Sequence, residues 1–397
     1  MKKSLYLTAA LAATTFLAAC GGGDNGGNEA DPANNESGAN NAENTEETPE
    51  ENAGNEGGEN ENAGEEENGG NEADADGEDG GGEYAQEDAS HTIRGGIGLN
   101  SDHPQYQGLL EFKEIVESET DGDIFVETYH SGQLGDDRSM MEALQLGSQE
   151  VTIPSTAPIA NFVNEFSVFD FPFLFPDSET ADQVLDGEVG QELLDMLDDQ
   201  NMVGLAYWEN GFRDLTNSER EVASMEDFDG LTIRTMENDL HLDAFRELGA
   251  NPTPMAFTEL FTAMQQGTVD GQENPYATIY LEGFYEVQDY VSDTHHIYSP
   301  FVFLVSKQFY DGLPEDYQQI VSDAAVEAGE FQREANREAN DQYLQDLQDE
   351  GMTFTEISDE ARQEMQDAVQ PVIDEYSGEI GQDLVDRVYQ AIEDAQQ

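Results

Sequence analysis

The sequence predicts an α/β protein of two lobes around a cleft. In the first part of the folded region, strand-like segments alternate with segments whose apolar residues recur at helical spacing. The alternation recurs after residue 202, and an uninterrupted helical segment follows at 315–349. Such alternation favours a largely parallel sheet with helices packed on it. A helix of 35 residues spans about 50 Å. This is longer than one lobe is wide, so the helix must cross both lobes or project from them.

The first lobe opens on a short strand followed by a turn at the sequence NSDHP. Apolar residues then recur at near-helical spacing, and a strand with alternating character follows. A second helix stops at Gly147, as helices commonly do at glycine. The predicted segments are strands at 91–99, 123–129 and 150–155 and helices at 105–119 and 136–147.

The same signals recur from residue 202 onward. A further helix ends at Gly267, and Pro314 suits the first position of the long helix, which contains one glycine, Gly329, and no proline. The predicted segments are strands at 202–208, 231–236 and 301–306 and helices at 240–248, 258–266 and 315–349.

The composition is strongly acidic and uneven along the chain. The 397 residues include 88 Asp or Glu and 14 Lys or Arg, which gives a formal net charge of −74. Residues 21–90 hold 23 acidic and no basic residues and offer almost no apolar surface, so we expect a disordered acidic linker there. Nucleic acid and anionic lipid surfaces are excluded as main partners, because binding them by charge depends on Lys and Arg.

Acidic residues in excess, with only four lysines, are typical of a protein from a very salty habitat. A secreted protein of an alkaliphile is the alternative. In either case the excess charge destabilises a compact fold by self-repulsion unless ions screen it.

The N-terminus has the pattern of an export signal. Lys2 and Lys3 precede an apolar run that is short for a membrane span, and Cys20 follows. The sequence LAAC at 17–20 resembles a bacterial lipoprotein box. We therefore predict a signal peptide over 1–20 and a lipid on Cys20 that anchors the protein to the outer face of the cell membrane or in the periplasm. Cys20 is the only cysteine, so the folded domain has no disulfide.

Signals for catalysis are weak. The chain contains no HExxH, GxSxG, P-loop or complete GxGxxG sequence. The adjacent His295 and His296 would face opposite sides of a strand and could not easily share a metal ion. We therefore predict no enzyme, no cofactor and no metal site, and we keep an enzyme on a two-lobed scaffold as the disfavoured alternative.

Several longer motifs stand in a fixed order. GLTIRTMEN occupies 230–238, a segment containing PTPMAF and VDGQENP occupies 249–275, and FYEVQDYV occupies 284–291. Supporting segments are HSGQLGDDRSM at 130–140, FPFLF at 171–175, ENGFRDLTNS at 209–218 and IYSPFVFLVSK at 297–307. With these motifs the chain resembles the DctP-type substrate-binding proteins of tripartite ATP-independent periplasmic (TRAP) transporters over residues 91–397.

The resemblance implies a periplasmic-binding-protein-like fold with a hinged ligand cleft and a long helix spanning both lobes. It places lobe 1 at about 91–210 plus 299–338, and lobe 2 at about 211–298 plus the C-terminal helices. It implies capture of a small organic acid and delivery to the membrane permease subunits. An ABC importer or a sensor kinase as the receiving machine is the alternative.

The resemblance also implies a set of ligand-binding residues. Arg234 would form a bidentate salt bridge with the ligand carboxylate, because a planar guanidinium offers two parallel donors to two carboxylate oxygens. Arg213 and Asn274 would lie beside it, Phe257 would pack on the ligand, and Asn100 would close from the other lobe. The remaining members of the predicted set are Asp137, Ser155, Trp208, Met236 and Glu237.

Other roles are open for these residues. Arg234 could form an ordinary ion pair between lobes, Asn274 or Asn100 could hold a turn, and Phe257 could belong to the core. Ser155 and Pro158 stand where the sialic-acid binders of this family carry an acid and an arginine, which argues against sialic acid. C4-dicarboxylates, sugar acids, other keto or hydroxy acids and the zwitterion ectoine remain as ligands.

The acidic composition predicts that stability and affinity for an anionic ligand both rise with salt. Long-range repulsion is screened as salt increases from about 0.1 M to above 1 M, where the screening length falls from about 10 Å to about 3 Å. A desolvated contact in a closed cleft is screened much less. Melting temperatures and titrations at several KCl concentrations check this. A steady loss of affinity with salt would show that local pairing dominates.

Overall fold

The computed structural model describes residues 84–397, and within this range nine strands form one mixed sheet. The strands are β1 (His91–Gly96), β2 (Ile124–Tyr129), β3 (Val151–Thr152), β4 (Met202–Asn217), β5 (Thr232–Thr235), β6 (Asn251–Pro254), β7 (Gly271–Asn274), β8 (Tyr290–Ser306) and β9 (Thr353–Thr355). The helices are α1 (Pro104–Glu119), α2 (Asp137–Gln145), α3 (Thr156–Ile159), α4 (Ser178–Leu185), α5 (Glu188–Met196), α6 (Asp239–Glu247), α7 (Phe257–Gln265), α8 (Tyr276–Leu281), α9 (Lys307–Tyr310), α10 (Glu315–Asp349), α11 (Asp359–Ile380) and α12 (Gln382–Ala395).

The sheet is parallel towards its ends and antiparallel at its centre. Its order is β2–β1–β3–β8–β4–β7–β5–β6, with β9 paired to β8. The pairs of β1 with β2 and β3, and of β5 with β6 and β7, are parallel, as predicted. The prediction of a largely parallel sheet is wrong at the centre, where β8 pairs antiparallel with β3 and β4, and β4 with β7. β4 has 16 residues and β8 has 17, so each is more than twice as long as the sequence pattern indicated.

Strands β4 and β8 cross from one lobe to the other. Near Val203 they pair beside β3, and near Asn217 they pair beside β7 and β9. Their register shifts between Glu209 and Gly211 and again before Leu215. Gly211 has a φ of +119°, which favours glycine. The two lobes therefore share two continuous strands that are irregular where they cross.

Helix α10 begins after Pro314, as predicted within one residue, and contacts α1, β4 and α8. It therefore runs along both lobes. Trp208 is fully buried beneath it and donates its indole N–H to the carbonyl of Ala325 at 2.9 Å. A methyl group added to Gly108 of α1 or to Gly329 of α10 would lie 2.6 Å from the indole ring. The absence of side chains at these two positions makes room for the ring.

The C-terminal helices pack on both lobes, whereas we expected them in lobe 2. Helix α11 contacts α6, and α12 contacts α4 and α5, which lie in the range predicted for lobe 1. The apolar face of α12 is buried in this position through Leu384, Val385, Val388 and Ile392. These side chains join one core with those of α4, α5 and α6.

The chain before β1 contacts the domain from Tyr84 onward. The ring of Tyr84 lies over Gly122, and Gln86 donates to Glu127 at 2.9 Å. Ser90 donates its hydroxyl to Asp123 at 2.6 Å. The predicted linker boundary at residue 90 is therefore too late. The predicted signal peptide, the lipidation site Cys20 and the linker up to residue 83 lie outside the described residues. Over 84–397, none of the helices combines the length and apolarity that crossing a bilayer requires.

Hydrogen bonds between Gln and Asp one helical turn apart recur on the exposed faces. In each pair the Gln amide donates to a carboxylate four residues later, at 2.6–3.0 Å. Such pairs stabilise a helix by about 0.2–0.5 kcal/mol each. Within the described residues the pairs are Gln191–Asp195, Gln319–Asp323, Gln342–Asp346, Gln345–Asp349, Gln363–Asp367, Gln370–Asp374, Gln382–Asp386 and Gln390–Asp394.

Substituting Gly108 by alanine should destabilise the domain by about 1–3 kcal/mol, because the added methyl group overpacks the indole of Trp208. Gly378 of α11 provides the matched control, since it has open space around its Cα. Gly378→Ala should stabilise by about 0.5–1 kcal/mol through helix propensity. Denaturant unfolding of both variants measures the difference. Equal effects of the two substitutions would contradict close packing of α1 and α10 on Trp208.

Candidate functional site

A cavity lies where β4 crosses between the lobes, at the carboxyl ends of β1, β3, β5 and β7. It encloses about 610 Å³ of empty space, open solvent at its mouth included. The lining residues are Gly98, Leu99, Gln105, Asp136, Asp137, Arg138, Ile153, Ser155, Pro158, Asn210, Arg213, Arg234, Met236, Glu237, Met255, Ala256, Phe257, Asn274, Thr278 and Phe301. Ligands of α/β proteins commonly bind outside the carboxyl ends of the strands.

The structure brings most of the predicted site residues together on this wall. They are Arg213, Arg234, Asn274, Phe257, Asp137, Ser155, Met236 and Glu237. Asn100 and Trp208 do not line the cavity. The prediction for Trp208 is wrong because its side chain packs on α1 and α10, away from the cleft, whereas Asn210, two residues later, reaches the cavity.

Arg213 is held by a buried ion pair with Glu273 on the neighbouring strand β7. Its Nε and Nη2 atoms donate to the two carboxylate oxygens, and Nη2 also donates to the Glu273 carbonyl at 2.6 Å. Both side chains are at most 1% exposed. The remaining nitrogen, Nη1, is buried and has no hydrogen-bond partner. This arrangement fixes the guanidinium and leaves one donor group available for a ligand.

Glu273 remains ionised although it is buried. Burial acts to raise the pKa of Glu273, but the charge of Arg213 and the hydrogen bonds from His296 and Arg213 hold that pKa far below its usual range. His296 lies 3.3 Å from the carboxylate, and its other ring nitrogen is 2.8 Å from the hydroxyl of Thr294. Strands β4, β7 and β8 therefore each contribute one member of the Arg213–Glu273–His296 group.

Arg234 has no ion-pair partner among the described residues, so the structure does not support an ordinary ion pair between lobes. Its Nε and Nη2 atoms donate to the carbonyl of Met255 at 2.9 and 2.7 Å. Nη1 is buried without a partner. Burial lowers the pKa of Arg234 to about 10, and the charge of Glu273 opposes this shift. The guanidinium therefore presents its Nη1 end to a ligand, while its Nε side is occupied by the protein.

Two buried amide oxygens on the wall also have no partner. Gln105 donates its Nε2 to the carbonyl of Ile153 at 2.8 Å, which leaves Oε1 unpaired. Asn210 approaches the hydroxyl of Ser155 at 3.5 Å, and its Oδ1 is unpaired. A buried polar atom without a hydrogen bond is costly, so these atoms are candidates to accept one from a ligand.

His103 fixes the position of Gln105. Its Nδ1 accepts from the backbone N–H of Gln105 at 3.1 Å, so Nε2 is the protonated nitrogen and donates to Thr278 of α8 at 3.2 Å. Burial lowers the pKa of His103 to about 3, which keeps the ring neutral. Gln105 and Thr278, from different lobes, are thereby held on the same wall.

Carboxylates also line the cavity, at the start of α2 and after β5. Asp136 caps α2 by accepting from the backbone N–H of Ser139 at 2.9 Å. Burial raises the pKa of Asp137 to about 6, opposed by a backbone hydrogen bond from Ser155 and by the charge of Arg234. Glu237 is the third carboxylate. Arg138, also on the wall, pairs with Glu142 at 3.3 Å.

Phe257 forms the apolar part of the wall and is half-buried. It packs against the core of the first lobe and against the core around α7 and α8. Its ring centroid lies 6.0 Å from that of Phe284. Phe257 therefore combines both expected roles, since it belongs to the edge of the core and faces the cavity.

Asn100 joins the lobes instead of contacting the cavity. Its side chain donates to the carbonyl of Leu281 at 2.6 Å, and its backbone N–H donates to Glu282 at 2.8 Å. Its side-chain oxygen also accepts from Asp102 at 2.9 Å, so the expected turn is present as well. The sequence interpretation expected Asn100 to bind the ligand from the other lobe, whereas its side chain contacts the end of α8 and does not line the cavity.

Several residues that line or support the cavity were not predicted from the sequence. Asn210 and Glu273 stand inside the quoted motifs ENGFR and VDGQENP but were not singled out. Gln105 and Thr278 carry no local signal, because only the tertiary contacts through His103 place them. Within residues 84–397, no cluster of three or more His, Cys, Asp or Glu side chains has the arrangement of a metal site.

A two-lobed mixed sheet with buried guanidinium groups on the wall of a cavity between the lobes is the arrangement of a solute-binding protein. The chain belongs to the DctP family, the bacterial extracellular solute-binding proteins of family 7, which it matches over residues 96–379.

Similar proteins extend over nearly the whole described domain. A solute-binding protein of Verminephrobacter eiseniae is 41% identical over 305 residues, which cover 76% of this chain and 90% of the relative. The C4-dicarboxylate-binding periplasmic protein DctP of Rhodobacter capsulatus is 35% identical, covering 72% and 86% of the two chains. The crystal structure of the sugar acid binding protein DctPAm from Advenella mimigardefordensis with galactonate has a TM-score of 0.76 and 43% identity, covering 77% and 99%.

The contact of Asn100 with Glu282 predicts a pH-dependent stability. Burial raises the pKa of Glu282 from 4.5 to about 7, against a backbone hydrogen bond from Asn100. Between these values the folded protein holds a proton that the unfolded chain releases, so the free energy of unfolding falls as pH rises through this window. Glu282→Gln keeps an acceptor oxygen and removes the charge. The variant should be more stable than wild type by about 1–2 kcal/mol at pH 8, allowing for partial exposure.

At pH 4.5 the same variant should match wild type. Denaturant unfolding at the two pH values makes the measurement, and Glu286→Gln, at an exposed carboxylate four residues later, is the control. If Glu282→Gln changed stability equally at both pH values, the buried charge would not be the cause.

Proposed function

We propose that this protein captures a small organic acid in the cavity between its lobes and delivers it, chemically unchanged, to the permease of a TRAP transporter. The observation that carries the proposal is the pair of buried Nη1 groups of Arg213 and Arg234 on one wall. Each guanidinium is fixed by the protein along its Nε side, so both are oriented before a ligand arrives. A carboxylate is the small group that best satisfies such donors.

The ligands of relatives support an acid. Galactonate, bound to the Advenella protein, and C4-dicarboxylates, named for the Rhodobacter protein, share at least one carboxylate. The carboxylate of the ligand would lie between Arg213 and Arg234, and the half-buried ring of Phe257 would cover its carbon skeleton. The other polar atoms on the cavity wall would then determine which of these acids bind.

We place the protein outside the cytoplasm, attached by a lipid on Cys20. The export signal and the sequence LAAC support this location. The acidic segment that follows would let the binding domain reach the permease while the lipid remains in the membrane. Incorporation of radiolabelled palmitate, absent in Cys20→Ser, tests the attachment.

The function is tested by calorimetric titration of ligand-free protein with a panel of small organic acids in molar salt. Arg234→Ala should weaken the binding of any active acid by about 2–5 kcal/mol, and Arg234→Lys by less, since it restores the charge without the planar donor pair. Recovery of the acid unchanged after incubation would support binding without catalysis.

Arg246→Ala provides the control, because Arg246 is an exposed arginine of α6 paired with Asp243. It should leave the affinity unchanged. Affinity of Arg234→Ala within a factor of two of wild type would remove Arg234 from the site, and failure of every acid to bind would overturn the proposed function.

A further inference from the structure

The charges on the cavity wall do not favour a second carboxylate on the ligand. Of the three arginines on the wall, Arg213 is paired with Glu273 and Arg138 with Glu142. Only Arg234 is left without an ion-pair partner among the described residues. Asp136, Asp137 and Glu237 lie on the same wall. One ligand carboxylate therefore finds a free cation, whereas another would add to an existing excess of negative charge.

Atoms that need a donor are present on the same wall. The Oε1 atom of Gln105 and the Oδ1 atom of Asn210 are buried without partners. The orientation of the Gln105 amide is set by its bond to the carbonyl of Ile153. A carboxylate has no hydrogen to give to these oxygens, whereas a hydroxyl group has one. A ligand with hydroxyl groups can therefore satisfy acceptors that a plain dicarboxylate would leave unpaired.

Asp137 is both a negative charge and a hydrogen-bond acceptor on this wall. It is the first residue of α2, lines the cavity together with Ser155 and Arg234, and interacts with the charge of Arg234. Its neighbour Asp136 is already occupied by the cap of α2. A hydroxyl that donates to a carboxylate forms a short, strong hydrogen bond, whereas two carboxylates repel.

We infer that the site selects hydroxylated monocarboxylic acids over dicarboxylic acids of the same carbon skeleton, and that Asp137 is the residue that determines this specificity. The inference rests on the proposed function, because it assumes that the ligand carboxylate binds at Arg213 and Arg234. In this arrangement Asp137 accepts a hydrogen bond from a ligand hydroxyl, and Gln105 and Asn210 accept from further hydroxyl groups.

The test uses matched acids that differ at one terminal carbon. Aldonates of four to six carbons, such as threonate, gluconate and galactonate, are compared with the corresponding aldarates, in which the terminal CH₂OH is a second carboxylate. Unsubstituted fatty acids of equal length complete the set. For whichever skeleton binds, calorimetry should give an aldonate affinity at least about 100-fold above those of the aldarate and the fatty acid.

Asp137→Asn should reduce the ratio of aldonate to aldarate affinity at least about tenfold, because the amide still accepts a hydrogen bond but no longer repels a carboxylate. Asp137→Ser serves the same purpose if the asparagine variant does not fold, as judged by circular dichroism. Glu286→Gln is the control, because it removes an exposed charge outside the cavity, and it should leave the ratio unchanged.

The possible outcomes distinguish a failure of the inferred selectivity from a failure of the proposed function. Binding of an aldarate as tightly as its aldonate, or of an aldarate alone, would overturn the inferred selectivity and leave the capture of organic acids intact. An unchanged ratio in both Asp137 variants would overturn the role of Asp137. Binding of no acid at all would instead contradict the proposed function.

Discussion

The buried ion pair of Arg213 and Glu273 is the interaction on which the geometry of the site depends. Both charges are removed from water, so each needs the other, and removing one partner of such a pair typically costs about 3–5 kcal/mol. The pair joins β4 to β7, and His296 adds β8 from the other side of Glu273. The two strands that connect the lobes are thus tied together where the cavity forms. Nη1 of Arg213, on the cavity wall, is left as the free donor because the other two nitrogens are held by the protein.

Further contacts join the two lobes around this group. Asn100 reaches the end of α8, Asn161 donates to the carbonyl of Glu237 at 2.7 Å, and Asn238 donates to the carbonyl of Ala157 at 3.1 Å. All three are hydrogen bonds from asparagine amides to backbone carbonyls, and each is individually modest in energy. The ligand-facing donors keep their orientation because they are fixed by strands instead of by these contacts.

The sequence predicted most elements and the identity of the two site arginines, for different reasons. Helix α10 was predictable because its apolar stripe and lack of proline are local signals. The second half of β4 was missed because polar residues such as Asn210, Arg213 and Asp214 break the strand pattern, and the first half of β8 was missed as well. Asn210 and Arg213 line the cavity, so residues of the site itself interrupt the strand pattern. Arg213 and Arg234 were found through motif resemblance, whereas Gln105 is placed by His103 and Thr278, a contact between distant segments that no local pattern encodes.

The Gln–Asp pairs on the helices affect how the domain would respond to a fall in salt concentration. A pair of opposite charges weakens as salt rises and strengthens on dilution. An amide that donates to a carboxylate has no cationic partner and depends less on the medium. The local helix contacts would therefore stay nearly constant while the repulsion summed over the whole acidic surface grows. A fall in salt concentration would therefore destabilise the domain as a whole, and individual helices would not unfold before the rest of the domain.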